Sequence, residues 1–304
     1  MGFTLTVIGC GSATPVGHRL SSAFILKREN QTFMIDCGEA SQLFLKDHQV
    51  RMQRIGQIYI SHLHGDHFFG LVGLLSSMHL FGRKHPLHLF APPALEQIIQ
   101  MQLDAGGTVL QYPLVFHPTQ DRTESLLYED DGLEVRSFPL NHGLPTTGFL
   151  FREKERQRSI SKTFLEEHTL SPEEMRCIRR GEDYTDPQGV VWPNAEITRP
   201  SRLTPKSFAY CSDTIYDESI IPYIRHVDLL YHETTFLEGE AELAESRFHT
   251  TARQAAMIAK KAEVKKLLVG HYSARYKGIQ CFVDEASEIF DDVVAASEGL
   301  VLDI

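Results

Sequence analysis

Short blocks of apolar residues, each closed by polar or glycine-rich turns, run through the first hundred positions. Phe3 to Ile8 reads as a strand entering a Gly9-Cys10-Gly11-Ser12 turn. Ser22 to Leu26 and Thr32 to Ile35 are two more short strands, separated by the polar Lys27-Arg28-Glu29-Asn30 turn. Glu39 to His48 has a helical pattern, Gln57 to Ile60 a buried-strand pattern, and Phe68 to Leu80 a helical one again. Leu87 to Phe90 is a strand closed by Pro92-Pro93. Further on, Ser207 to Cys211, Val227 to Tyr231 and Lys266 to Val269 read as strands. Thr250 to Ala262 is the clearest helix: Ala252, Ala255, Ala256 and Ala259 share one face, and Thr250 or Thr251 is available as N-cap. Strands mixed with helices in this way predict an α/β layered fold.

One stretch breaks the pattern. From Arg152 to Lys206 the chain is polar, dense in charge and interrupted by Pro172, Pro187, Pro193, Pro200 and Pro205. It reads as an arm inserted into a single domain spanning residues 1–304, because the candidate chemistry needs residues from both sides of it. The longest apolar run, Phe68 to Leu75, is far short of the ~20 residues that span a bilayer, and the N-terminus lacks the cationic start of a signal peptide. A soluble protein with no membrane partner is expected.

Composition changes the picture in two places. The chain has 304 residues with 30 Lys+Arg against 40 Asp+Glu, a formal net charge of −10. That balance weighs against nucleic-acid binding unless positive charge is gathered locally. The five cysteines, Cys10, Cys37, Cys177, Cys211 and Cys281, are odd in number, scattered and without a C-x-x-C pair. They suit a reduced cytoplasm better than a disulfide framework, and most are expected to be small buried hydrophobes.

The strongest chemical signal is Ser61-His62-Leu63-His64-Gly65-Asp66-His67, directly after a buried strand. Three imidazoles and a carboxylate within six residues cannot share one side of a regular element, whereas a loop at a strand end can aim them at a common point. Imidazole with carboxylate suits Zn²⁺ or a similar first-row divalent ion. One loop cannot saturate two ions, so further ligands are expected at other strand ends. His142 follows Ser137 to Asn141, Asp213 follows Phe208 to Ser212, and His271 follows Lys266 to Gly270.

With those residues in hand, the sequence resembles the metallo-β-lactamase fold, a four-layer αβ/βα sandwich with a metal cleft at one edge. More narrowly it resembles the ribonuclease Z family of tRNA 3′-processing endoribonucleases. The resemblance rests on Ile35-Asp36-Cys37-Gly38-Glu39, Phe208 to Thr214, His232-Glu233-Thr234-Thr235-Phe236, Phe248-His249-Thr250-Thr251-Ala252 and Gly270 to Tyr276. It implies two Zn²⁺ per subunit, with Mn²⁺ or another divalent ion as the alternative. One is held by His62, His64 and His142, the other by Asp66, His67 and His271, and Asp213 bridges them. Asp66 would also accept a proton from the attacking water. Glu233 and His249 would form the pair that protonates the leaving alkoxide, the competing role of His249 being a cap on the helix that follows. Asp36 either orients a ligand histidine from behind or caps a turn. His232 is expected to be structural, while Arg275 and Tyr276 either meet the substrate or pack.

The resemblance further implies a precursor-tRNA substrate, cleavage leaving a tRNA 3′-hydroxyl and a 5′-phosphorylated trailer, a homodimer, no DNA partner and a cytoplasmic location. The insertion at about 152–206 occupies the interval of the family's tRNA-binding exosite arm. It carries 11 basic and 10 acidic residues, so the arm is +1 and the remainder −11. Two departures stand out. The arm lacks the family's usual Gly-Pro pair, and the Pro15 to Leu20 segment keeps Pro15 and Arg19 but lacks the Lys and Asn of the loop that senses a mature CCA end. Two competing readings are a hydrolase of small esters, thioesters or phosphodiesters on the same fold, and a metal-bound RNA-binding subunit without catalysis.

Overall fold

The computed structural model describes residues 2–16, 19–201 and 203–304. Of the expectations above, Gly17 and His18 in the Pro15 to Leu20 segment and Arg202 in the arm lie outside the described residues. The chain divides into two units. The first comprises Met1–Glu129, Glu134–Arg152 and Lys206–Ile304; the second comprises Asp130–Leu133 and Glu153–Pro205.

Two seven-stranded sheets build the first unit. One runs in the order Val301–Asp303, Phe3–Gly9, Ala23–Arg28, Gln31–Cys37, Gln57–Tyr59, Leu87–Ala91, Leu114–Pro118. Its first four strands are antiparallel neighbours, and from Gln31–Cys37 onward the pairing is parallel. The other runs Val293–Ala295, Leu267–Gly270, Leu229–Glu233, Ser207–Cys211, Thr146–Glu153, Leu133–Leu140, Ser125–Glu129, with its first four strands parallel. That parallel register sets Cys211 beside His232 and Glu233 beside Gly270. The segments that follow these strands therefore leave the sheet at one edge, outside their carboxyl ends, where open α/β sheets place their sites.

Aromatic rings fill the space between the sheets. Phe24 packs edge-on against Tyr210 and Tyr231, with centroids 5.4 and 4.6 Å away. Phe33 meets Phe151 at 5.6 Å, and Tyr59 meets Phe149 and Phe151 at 5.4 and 5.3 Å. All are fully buried. On the outer face of the first sheet, helices Leu71–Leu80 and Ala94–Ala105 bury Leu74, Leu75, Met78, Leu95 and Ile99 in one cluster with Ile58 and Leu89. On the outer face of the second, helix Ala252–Lys261 packs against Leu229–Glu233 and Leu267–Gly270. Its N-cap is Thr251, in a reciprocal capping box with Gln254, and its buried face is the alanine stripe read from the sequence. The result is four layers, helix, sheet, sheet, helix.

Two expectations need correction. The segment Ser61 to His67 is not wholly loop: Gly65–Phe68 forms one helical turn, so Asp66 and His67 are delivered by a helix and only His62 and His64 by extended chain. The helix expected from Phe68 accordingly breaks and restarts at Leu71. The break is at Gly70, which crosses so close to Gly38 that a Cβ there would lie 2.1 Å from the Gly38 carbonyl oxygen. Strands Leu114–Pro118 and Ser125–Glu129 carry no readable pattern because they are sheet edges of intermediate burial without clean alternation.

The second unit has a small core of its own, Phe164, Ile178, Tyr184 and Ile197, flanked by Ile160, Leu170 and Trp192. Helix Pro172–Arg180 opens on a Ser171–Glu174 capping box and closes on Gly181 in the left-handed region. Arg156, Arg158, Arg179 and Arg180 line a cavity of about 850 Å³ within this unit.

The inter-sheet rings should dominate stability. Phe151→Ala is expected to cost about 3–5 kcal/mol, whereas Leu126→Ala, at an edge position, should cost under about 0.5 kcal/mol. Urea denaturation of both variants checks the contrast.

Candidate metal centre

Seven side chains converge where the strands end. His62 and Asp213 are buried, with His62 Nε2 3.6 Å from Asp213 Oδ2. His62 Nε2 and His64 Nδ1 are 3.0 Å apart, and His142 Nε2 lies 3.1 Å from the same His64 nitrogen. On the other side of Asp213, His271 Nε2 is 3.2 Å and His67 Nε2 3.5 Å from Oδ1, and Asp66 Oδ2 is 3.4 Å from His271 Nε2. One donor set is thus His62, His64, His142 and Asp213; the other is Asp66, His67 and His271, with Asp213 beside it. Asp213 is the residue within reach of both.

Four of the five imidazoles are held from behind. His67 Nδ1–H donates to Asp36 Oδ2 (2.7 Å), and His142 Nδ1–H to the Phe248 carbonyl (2.8 Å). His271 Nδ1 is 2.8 Å from the Thr235 hydroxyl and His62 Nδ1 3.1 Å from the Ser61 hydroxyl. Those hydroxyls donate onward to Glu233 and Asp36, so they accept from the rings. Four rings therefore turn Nε2 inward, while His64 turns Nδ1. Outer partners of this kind fix tautomer and orientation at metal sites. Asp36 contacts a ligand candidate directly and is not merely a turn cap.

The donor set fits a cation. The inward nitrogens crowd one another without satisfying one another, and the buried Asp213 Oδ1 makes no hydrogen bond. Burial, reinforced by the neighbouring His67, holds His62 well below the usual histidine range, so it stays neutral and able to ligate. Burial alone would protonate Asp213, but His271, His67 and His62 outweigh it and hold the carboxyl well down. Imidazole-rich sets with carboxylates suit Zn²⁺.

Beside this centre, Glu233 is wholly buried at the end of its strand. It accepts from Thr235 N (2.8 Å), Thr235 Oγ1 (2.7 Å), Thr250 N (2.9 Å) and His249 Nδ1 (2.9 Å). Burial disfavours the His249 cation, but Glu233 overrides it and lifts the imidazole to about 9. A cleft of about 470 Å³ opens onto His64, Asp66, Asp213, His249 and His271, with Phe69 at its side. Glu233 and His249 are thus joined, and both adjoin the metal candidates.

His232 is buried outside both donor sets, its Nδ1 2.8 Å from the Glu233 carbonyl. Arg275 pairs with Glu240 and lies over the Phe236 ring, and Tyr276 also bonds Glu240, so both are engaged in packing. Sequence reasoning does not single out Thr235, Ser61, Tyr210 or the Ala13 amide, which donates to Asp66 Oδ2 at 2.6 Å. Thr235, Ser61 and Tyr210 do lie inside the runs His232 to Phe236, Ser61 to His67 and Phe208 to Thr214, whereas Ala13 carries no such signal.

Known proteins resemble the chain closely. Ribonuclease Z of Parabacteroides distasonis is 42% identical over 302 residues, covering 99% of both chains. Ribonuclease Z of Cytophaga hutchinsonii is 46% identical over 300 residues, covering 98% of this chain and 95% of its own. Among solved structures, human tRNase Z, short form, superposes with TM-score 0.72 at 25% identity, covering 99% of each chain. The metallo-β-lactamase fold protein YhfI of Bacillus subtilis superposes with TM-score 0.70 at 18% identity over the whole of both chains. A family profile described as anti-Pycsar protein Apyc1 matches residues 3–142.

The Glu233 cage sets a stability contrast. Glu233→Ala leaves the buried Thr235 and Thr250 amides without an acceptor and should cost at least about 2 kcal/mol, whereas His249→Ala removes one donor among several and should cost about 1 kcal/mol or less. Chemical denaturation of the two variants checks it.

Proposed function

The chain belongs to the ribonuclease Z family of the metallo-β-lactamase fold, and from that premise we propose how it acts on its substrate. It is a hydrolytic endoribonuclease that processes the 3′ ends of tRNA. The observation that carries the mechanism is the pair of donor sets meeting at Asp213, directly beside the Glu233–His249 couple.

In this reading His62, His64 and His142 hold one divalent ion, Asp66, His67 and His271 the other, and Asp213 reaches both; the histidine-rich donors favour Zn²⁺, with Mn²⁺ as substitute. Bound there, two such ions supply a nucleophile from water at neutral pH and offset charge on the attacking and leaving oxygens of an in-line displacement. Asp66, open to the cleft, takes the proton that the water gives up. His249, held as a donor by Glu233, gives a proton to the oxygen that leaves, so the tRNA ends in a 3′-hydroxyl and the trailer in a 5′-phosphate. The second unit supplies RNA recognition, its arginine-lined cavity meeting phosphates of a folded RNA whose shape is read more than its sequence.

A homodimer belongs to the same reading. Leu43, Phe69 and Phe81 are 58–68% exposed around a single groove, a patch of the kind that a second copy covers. So does a cytoplasmic location. No helix among the described residues is long and apolar enough to cross a membrane.

Purified protein with Zn²⁺ or Mn²⁺ should cut a 3′-extended precursor tRNA after the discriminator nucleotide and stop on chelation; no cut there would overturn the reading. His249→Ala should retain metal and lose about 10²–10⁴-fold in kcat, while Asp213→Ala should lose both ions. For the arm, Arg179→Ala with Arg180→Ala should weaken precursor binding and reduce the slope of log K against log salt by about one for each phosphate no longer neutralised. An unchanged slope would remove the cavity from the RNA interface.

A further inference from the structure

Helix Ala241–Ser246 ends in a complete Schellman turn: Phe248 N donates to the Glu245 carbonyl and His249 N to the Ala244 carbonyl, at 3.0 and 2.8 Å. The residue at the left-handed position of such a turn is ordinarily glycine, because a side chain there strains the backbone. Here it is phenylalanine, at φ +57°. Its ring does not repay the strain by burial, for the residue is 43% exposed. Nor does local crowding demand a large side chain: the ring stands perpendicular to His142 at 6.5 Å between centroids, and a Cβ on Gly143 would only touch it at 3.7 Å.

What the position does have is location. The Phe248 carbonyl holds His142 Nδ1–H, and the next residue is His249. The carbonyl task needs only a backbone and would be served by glycine. The ring is therefore what phenylalanine adds, and it stands edge-on to a metal-ligand candidate, His142, one residue before the proton-donor candidate, His249. Gln49 and Glu263 take the same left-handed position after helices Ser41–Asp47 and Ala252–Lys261, so what sets Phe248 apart is a large apolar side chain left exposed beside the chemistry.

We propose that the Phe248 ring is a stacking platform for the nucleobase next to the scissile phosphate, holding that nucleotide so that its phosphate enters the metal cleft. This rests on the endoribonuclease reading above. Phenylalanine offers a base a flat apolar face without sequence preference, suiting an enzyme that meets many different 3′ trailers.

The test is a cycle of variants against substrates. Wild type, Phe248→Gly, Phe248→Leu and Phe248→Trp are compared on 3′-extended precursor tRNA carrying either a normal or an abasic nucleotide on each side of the cut. Phe248→Gly should keep its metal content and keep or raise Tm, since the strain is gone, yet raise KM about tenfold with kcat nearly unchanged. Phe248→Trp should restore KM and Phe248→Leu should not. Removing the stacked base should cost wild type about the same tenfold and cost Phe248→Gly almost nothing. If Phe248→Gly and wild type lose equally on the abasic substrate, or Phe248→Leu restores KM fully, the stacking role is overturned while the endoribonuclease reading stands. If wild type fails to cut the normal precursor, both fall.

Discussion

The Asp36 carboxylate has no exposed surface and accepts four hydrogen bonds: Oδ1 takes Ser61 N, and Oδ2 takes Ser61 Oγ, His67 Nδ1 and Tyr210 Oη. Those donors come from the end of a first-sheet strand, from the short helical turn and from the middle of a second-sheet strand. An unpaired charge at that depth would cost several kcal/mol, so the three segments have to meet. Sheet packing and site geometry are consequently one condition. The sheets cannot shift without stranding Asp36, and His67 cannot rotate without losing the partner that aims its Nε2.

The same edge concentrates backbone strain. Of the nine non-glycine residues with positive φ among those described, Ala13 and His271 line the cleft, and Asp36 and Phe248 each hold one of its candidate ligands from behind. Each costs about 1–3 kcal/mol and persists because its surroundings over-determine it. Ala13 hands its amide to Asp66, Asp36 is caged, Phe248 completes a helix cap, and His271 is pinned by Thr235. Regular elements spread side chains along faces; convergence on one point requires the chain to turn sharply there. The aromatic core between the sheets supplies the rigidity that holds those turns.

Charge acquires a location in this arrangement. The net −10 is in part a property of the cleft, where Asp66 and Asp213 belong to the donor sets and Asp36 and Glu233 stand behind them. The second unit is not basic as a whole, but it gathers Arg156, Arg158, Arg179 and Arg180 around one cavity. An acidic protein and a polyanionic substrate are compatible when positive charge is gathered locally and not spread over the surface.

Much is legible in the order of residues. The strand pattern, the alanine-faced helix with its threonine cap, and the candidate ligands at strand ends depend on short-range periodicity and on residue types whose chemistry is specific. Three things are not legible there. That the helix breaks at Gly70 and restarts at Leu71 goes with Gly38 and Gly70 approaching within a backbone's width, a contact between residues far apart in the chain. That His62, His67, His142 and His271 present Nε2 depends on which hydroxyl, carbonyl or carboxylate lies behind each ring. And that Asp36 is a partner of His67, that Arg275 and Tyr276 pack on Glu240, and that Phe248 stands strained behind His142 are facts of position. Sequence determines which groups are available and their local conformational preferences; only the folded sheets decide which groups come within hydrogen-bonding distance, because that depends on contacts between segments scores of residues apart.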